Sequence, residues 1–93
     1  MELDAEKIVA SAAELPNFYT NGFNNVMSSS DVMVVYHLNG KPTFSVNMSF
    51  TTAKTLSIML GQLVAQLETF SGHEIMTTMD VAGAANASLE DNK

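Results

Sequence analysis

Polar and apolar residues change their spacing once along this chain, and the change marks its two main elements. Phe44, Val46, Met48 and Phe50 alternate with Thr43, Ser45, Asn47 and Ser49, the period of two that a half-buried strand shows. Leu56, Leu60, Leu63, Leu67 and Phe70 then recur at steps of four and three, which lines them up along one side of an α-helix. Ser49 or Thr51 is placed to cap that helix by accepting an N–H of its first turn. Gly72, after Ser71, suits a left-handed C-cap at the other end.

Upstream, Val32 to Leu38 reads as a second strand. Val32, Val34, Tyr36 and Leu38 fall on one side and Met33, Val35 and His37 on the other. A strand apolar on both sides belongs in the middle of a sheet. Asn39-Gly40 then predicts a hairpin, because both residues tolerate positive φ. Pro42, lacking an N–H, places the following strand at a sheet edge. The loop length sets the register. A two-residue loop sets Phe44, Val46 and Met48 beside Met33 and Val35; one more residue sets them beside Val32, Val34 and Tyr36, the better hydrophobic match.

Ser28-Ser29-Ser30-Asp31 predicts a turn. Residues 17–27 before it read as an irregular first strand, with Gly22 marking a bulge or a close approach. Residues 2–15 read as a short helix with acids at its start, ended by Pro16. Residues 73–81 fit a final strand or an arm, and from Ala82 onward no period remains, so 82–93 reads as a disordered acidic tail. The expected fold is α+β: a three-stranded antiparallel meander packed on one long helix, with a short N-terminal helix. It makes a single domain over residues 1–81, in which 1–16 is the N-terminal helix or an arm.

Ala53, Ser57, Gly61 and Ala65 recur every four residues beside Ile58. A mid-helix glycine costs about 1 kcal/mol relative to alanine. Close approach of another backbone would offset that cost, whether from a neighbouring element or from the same helix of a second copy. Composition favours a second copy. Ninety-three residues are near the size where one core only just suffices, and this chain has no cysteine, 46% hydrophobic residues and 15% charged ones. The expected partner is a second copy of the chain, a dimer first. The interface candidates are Val32, Val34 and Tyr36 on the sheet, with Ser57, Ile58, Gly61 and Ala65 on the helix.

The charge pattern narrows the function. Four lysines, no arginine and ten carboxylates give a formal charge of −6, which argues against reading nucleic acid through its phosphates. The acids gather near the ends, at Glu2, Asp4, Glu6, Glu14, Glu90 and Asp91, rather than on one face as a nucleic-acid mimic needs. Acids stand where a signal peptide needs positive charge, and the longest apolar run, Val32 to Tyr36, is too short to span a bilayer. A soluble, cytoplasmic protein without membrane contact is expected.

Catalytic patterns are weak. No cysteine is present, no serine lies in a nucleophile elbow, no glycine-rich phosphate loop occurs, and no acid lies between Val32 and Leu67. His73, Glu74 and Asp80 match no metal-ligand spacing, and His37 falls at a strand end beside the hairpin. The expectation is a protein that is not an enzyme and holds no metal or cofactor. Lys54 sits in the first helical turn, against the dipole's preference for acids. Seven methionines suit either core filling or an adaptable binding surface.

Tyr19-x-Asn21-x-Phe23, Ser29-x-Asp31 ahead of a hydrophobic strand, Met48-Ser49-x-x-x-Ala53-Lys54-x-Leu56-x-x-x-Leu60 and Gly72-x-x-Ile75 together resemble a small prokaryotic family called domain of unknown function 3467. The resemblance covers about residues 18–76. It implies a compact strand-strand-strand-helix unit of bacterial, archaeal or phage origin, and brings no activity, cofactor or catalytic residue. The expected function is a non-catalytic protein-interaction module that forms a homo-oligomer. The alternatives are an acidic inhibitor or adaptor of phage or mobile-element type and, from a third class, a small-molecule or metal-binding protein.

Overall fold

In a computed structural model of the chain, residues 4–91 are described, with side chains through residue 85. The chain divides into two compact units, Met1–Phe50 and Thr51–Lys93. The elements run α1 (Ala5–Ala12), β1 (Gly22–Met27), β2 (Asp31–Leu38), β3 (Lys41–Ser49), α2 (Phe50–Ser71) and α3 (Thr78–Asp91). The α+β class, the antiparallel meander in order β1-β2-β3, the short first helix and the long helix all follow the sequence pattern.

In the first unit, Asp4 caps α1 by accepting the Lys7 N–H at 2.9 Å. The Asn17 amide closes the helix by donating to the carbonyls of Ala12 and Leu15 at 3.0 and 2.7 Å. The Glu2 end of the expected 2–15 helix lies outside the described residues. The β1–β2 turn is built by Ser28, whose Oγ accepts the N–H groups of Ser30 and Asp31 at 3.2 and 3.0 Å. Gly22 begins β1 opposite His37, and a Cβ there would stand 3.6 Å from the His37 Cβ, an ordinary contact.

The β2–β3 hairpin resolves the register. Leu38 pairs with Lys41, so Asn39 and Gly40 form a two-residue loop, with φ of 53° and 81° as a type I′ turn requires. His37 pairs with Pro42, yet Tyr36 pairs with Phe44. Thr43 is therefore an extra residue, a β-bulge, and its Oγ1 donates to the Tyr36 carbonyl at 3.1 Å. The bulge shifts β3 by one position. The short loop is kept while Phe44, Val46 and Met48 face Tyr36, Val34 and Val32, the better hydrophobic match. Asn21 ties the hairpin tip to the start of β1: its amide donates to Asn39 Oδ1, and the Asn39 N–H donates to Asn21 Oδ1, both at 2.9 Å.

In the second unit α2 begins directly after Ser49 and ends at Ser71, where Gly72 takes the left-handed conformation (φ 72°) and its N–H donates to the Glu68 carbonyl at 2.9 Å. Glu68 also holds the link beyond, its Oε2 accepting the Ile75 N–H at 2.8 Å. The segment that follows departs from the sequence reading. In place of a final strand or arm over residues 73–81 and a disordered tail from Ala82, α3 occupies Thr78–Asp91; residues 92–93 of that tail lie outside the described residues. A capping box starts this helix, with Thr77 Oγ1 accepting the Asp80 N–H and Asp80 Oδ2 accepting the Thr77 N–H, both at 3.0 Å.

Among the described residues none is buried. The side chains of β2 from Val32 to His37 are half-buried, and the leucine stripe of α2 is open, from 38% exposed at Leu56 to 83% at Phe70.

The type I′ turn gives a first prediction. Gly40→Ala forces an L side chain into the left-handed region and should destabilise the chain by about 1 kcal/mol in a denaturant titration. An unchanged midpoint would contradict the turn.

Candidate functional site

Strand alternation and register sort the sheet into two unlike faces. On one lie Phe23 and Met27 of β1, Val34 and Tyr36 of β2, and Val46 and Met48 of β3, with Val32 and Phe44 between them. No charged side chain lies among these residues, and only Asn25, opposite Val34, is polar. The other face mixes Val26, Met33, Val35 and His37 with Asn24, Ser45 and Asn47.

The apolar face is organised by aromatic rings. Tyr36 and Phe44, cross-strand partners through the bulge, stack with centroids 4.8 Å apart and planes 14° apart. Phe18, from the segment after α1, stacks on Phe44 at 4.9 Å and 27°. Such pairs add about 0.5–1.5 kcal/mol each beyond area burial. Despite this order the face is open, with Phe23 61% and Met27 75% exposed.

The structure brings Val32, Val34 and Tyr36 together on this apolar face. Ser57, Ile58, Gly61 and Ala65 lie in the other unit, along α2. Ser57 Oγ donates back to the Lys54 carbonyl at 2.8 Å, Ile58 is half exposed, and a Cβ on Gly61 would meet nothing within 4 Å. No contact among the described residues requires a glycine at 61. Ala65 borders an open depression with Glu68, Thr69, Gly72, His73 and Glu74. Phe18 and Phe44 belong with the sheet candidates. Alternation marks Phe44 in the sequence, whereas the position of Phe18 depends on the turn after Pro16.

The titratable groups are dispersed among structural roles. Asp80 belongs to the α3 capping box, and His73 is exposed just after the α2 cap. Among the described residues no three His, Cys, Asp or Glu side chains gather as metal ligands, and no helix is long and apolar enough to cross a membrane. The His37 carbonyl accepts Thr20 Oγ1 at 2.8 Å and the Asn21 N–H at 3.1 Å. The His37 Nε2, in contrast, is buried without a hydrogen-bond partner. No family model matches this chain, and no curated protein or solved structure matches it either.

A buried unpartnered nitrogen costs about 1–3 kcal/mol, and an apolar replacement removes that cost. His37→Leu should therefore raise stability by about 1 kcal/mol in thermal or denaturant unfolding. A loss of similar size would mean that Nε2 is bonded by a group outside the chain itself.

Proposed function

We propose that this chain is a non-catalytic protein-interaction module that works as a homo-oligomer, a dimer in its simplest form. The observation that carries the reading is the absence of any buried residue among those described, in a chain that is 46% hydrophobic. Exposed apolar residues are normal when scattered singly; contiguous patches mark interaction surfaces. Here they are contiguous twice, as the aromatic face of the sheet and as the leucine stripe of α2.

The chemistry of these surfaces fits association rather than turnover. From Met27 and Val32 to Tyr36 and Phe44 the apolar sheet face holds no charged side chain and one asparagine, with stacked rings that resemble the aromatic anchors of protein interfaces. A formal charge of −6 per chain keeps assemblies soluble and limits their growth by mutual repulsion.

Size-exclusion chromatography with light scattering, over a wide concentration range, tests this reading. The expected mass is twice the 10.0 kDa of one chain, or a larger multiple. A folded species holding the single-chain mass at every concentration would overturn it.

A further inference from the structure

We propose that Asn39-Gly40, at the tip of the β2–β3 hairpin, is a self-modification site, where the Asn39 carboxamide is lost as ammonia and a carboxylate takes its place. This goes beyond the interaction reading above and does not depend on it. The chain holds two Asn-Gly dipeptides, Asn21-Gly22 and Asn39-Gly40. In both, the glycine offers a backbone nitrogen with no side chain to hinder its approach to the preceding carboxamide. Every other asparagine precedes a residue that carries a side chain. The sequence leaves the two dipeptides equivalent, and the structure separates them.

Asn21 is held by backbone and side chain alike. Its N–H donates to the His37 carbonyl at 3.1 Å. Its Oδ1 accepts the Asn39 N–H and its Nδ2 donates to Asn39 Oδ1, both at 2.9 Å. The Asn39 N–H thereby fixes which end of the Asn21 amide is oxygen and leaves its nitrogen as the donor. Gly22, the next residue, is paired with His37 in the ladder.

Asn39 has its carboxamide held at the oxygen alone. Its Nδ2, the group that leaves, and the Gly40 N–H, the group that attacks, have no hydrogen-bond partner among the described residues. Both residues are exposed, and nothing lies within 4 Å of where a Gly40 Cβ would stand. The one bond that the carboxamide makes falls on the atom where charge gathers. Attack on Cγ turns Oδ1 into an oxyanion, and Asn21 Nδ2 already donates to it.

In the reaction Gly40 N gives its proton to hydroxide and bonds to Asn39 Cγ. The Cγ–Nδ2 bond breaks, and the nitrogen takes a proton from water and leaves as ammonia. The five-membered imide then adds water at either carbonyl, giving aspartate at position 39 or its β-linked isomer. Water is the only co-reactant, and each product adds one negative charge two positions before Lys41. The contact with Asn21 survives conversion to aspartate, because a carboxylate accepts the Asn21 amide in a charge-assisted bond. Aspartate also tolerates the left-handed backbone of Asn39, with its φ of 53°. At position 21 the same change would set a carboxylate against Asn39 Oδ1, two acceptors with no donor between them.

The folded wild-type chain, incubated in mildly alkaline buffer and sampled over time, tests this by peptide mass spectrometry, which places each amide-to-acid conversion. Conversion should appear first at Asn39. Asn21 should lag by about tenfold or more, because its carboxamide gives up two hydrogen bonds before it can react. In urea the gap should close, since its cause is the fold. Equal rates in the folded chain, Asn21 ahead, or an Asn39 that stays intact while the urea sample converts would each overturn the proposal. A gap that persists in urea would overturn it too, by placing the cause in the flanking residues. Denaturant titration of two variants reads the same asymmetry without the reaction. Asn39→Asp should keep the wild-type midpoint and Asn21→Asp should lower it; an equal or larger loss in Asn39→Asp would contradict the assignment.

Discussion

Apolar surface has to be covered by a second layer, and that requirement governs this chain more than any single bond does. A sheet has two faces and a helix has a whole circumference, so one layer cannot bury its own hydrophobic side. The first unit is a three-stranded sheet whose apolar face carries stacked Phe18, Phe44 and Tyr36 rings, and the second is a helical unit whose leucines stand open. Hydrogen bonding is well served by contrast, through ladders, turns and caps. Among the described residues none reaches the burial that supplies most of the favourable free energy of folding.

The local devices serve the same end. The bulge at Thr43 lets a tight Asn39-Gly40 turn coexist with a register in which Phe44, Val46 and Met48 share a face with Tyr36, Val34 and Val32. Without the extra residue the two strands would divide their apolar side chains between opposite faces. Asn21 and Thr20 hold the hairpin end from the side of β1, so the aromatic stack rests on a framework fixed at that end. That face is ordered and partly open, with Phe23 and Met27 exposed, which supports the association proposed above.

Much of this was legible in the residues. Alternation over 43–50, the doubly apolar run at 32–38 and the stripe from Leu56 to Phe70 each report burial with a definite period, and periods survive without knowledge of the partner. Asn-Gly, Ser28 with Asp31, and Gly72 report backbone conformations that few other residues adopt. The bulge was not legible, because loop length and register are separable once one strand holds an extra residue, and Thr43 carries no mark of it. α3 was missed for a different reason. Its helix has no apolar stripe to announce it, and its start is written in the small capping box Thr77-x-x-Asp80, easily read as part of a Thr/Met alternation. The site was half visible: Val32, Val34 and Tyr36 followed from strand parity, while the place of Phe18 depends on a turn that only the folded chain displays.

If burial comes from association, folding and assembly are one equilibrium, and stability depends on how much protein is present. The most direct measurement is the thermal unfolding midpoint of the wild-type chain as a function of its concentration. The account predicts a midpoint that climbs steadily with concentration in a single cooperative transition. A midpoint independent of concentration would contradict it, because the core would then be complete within one copy.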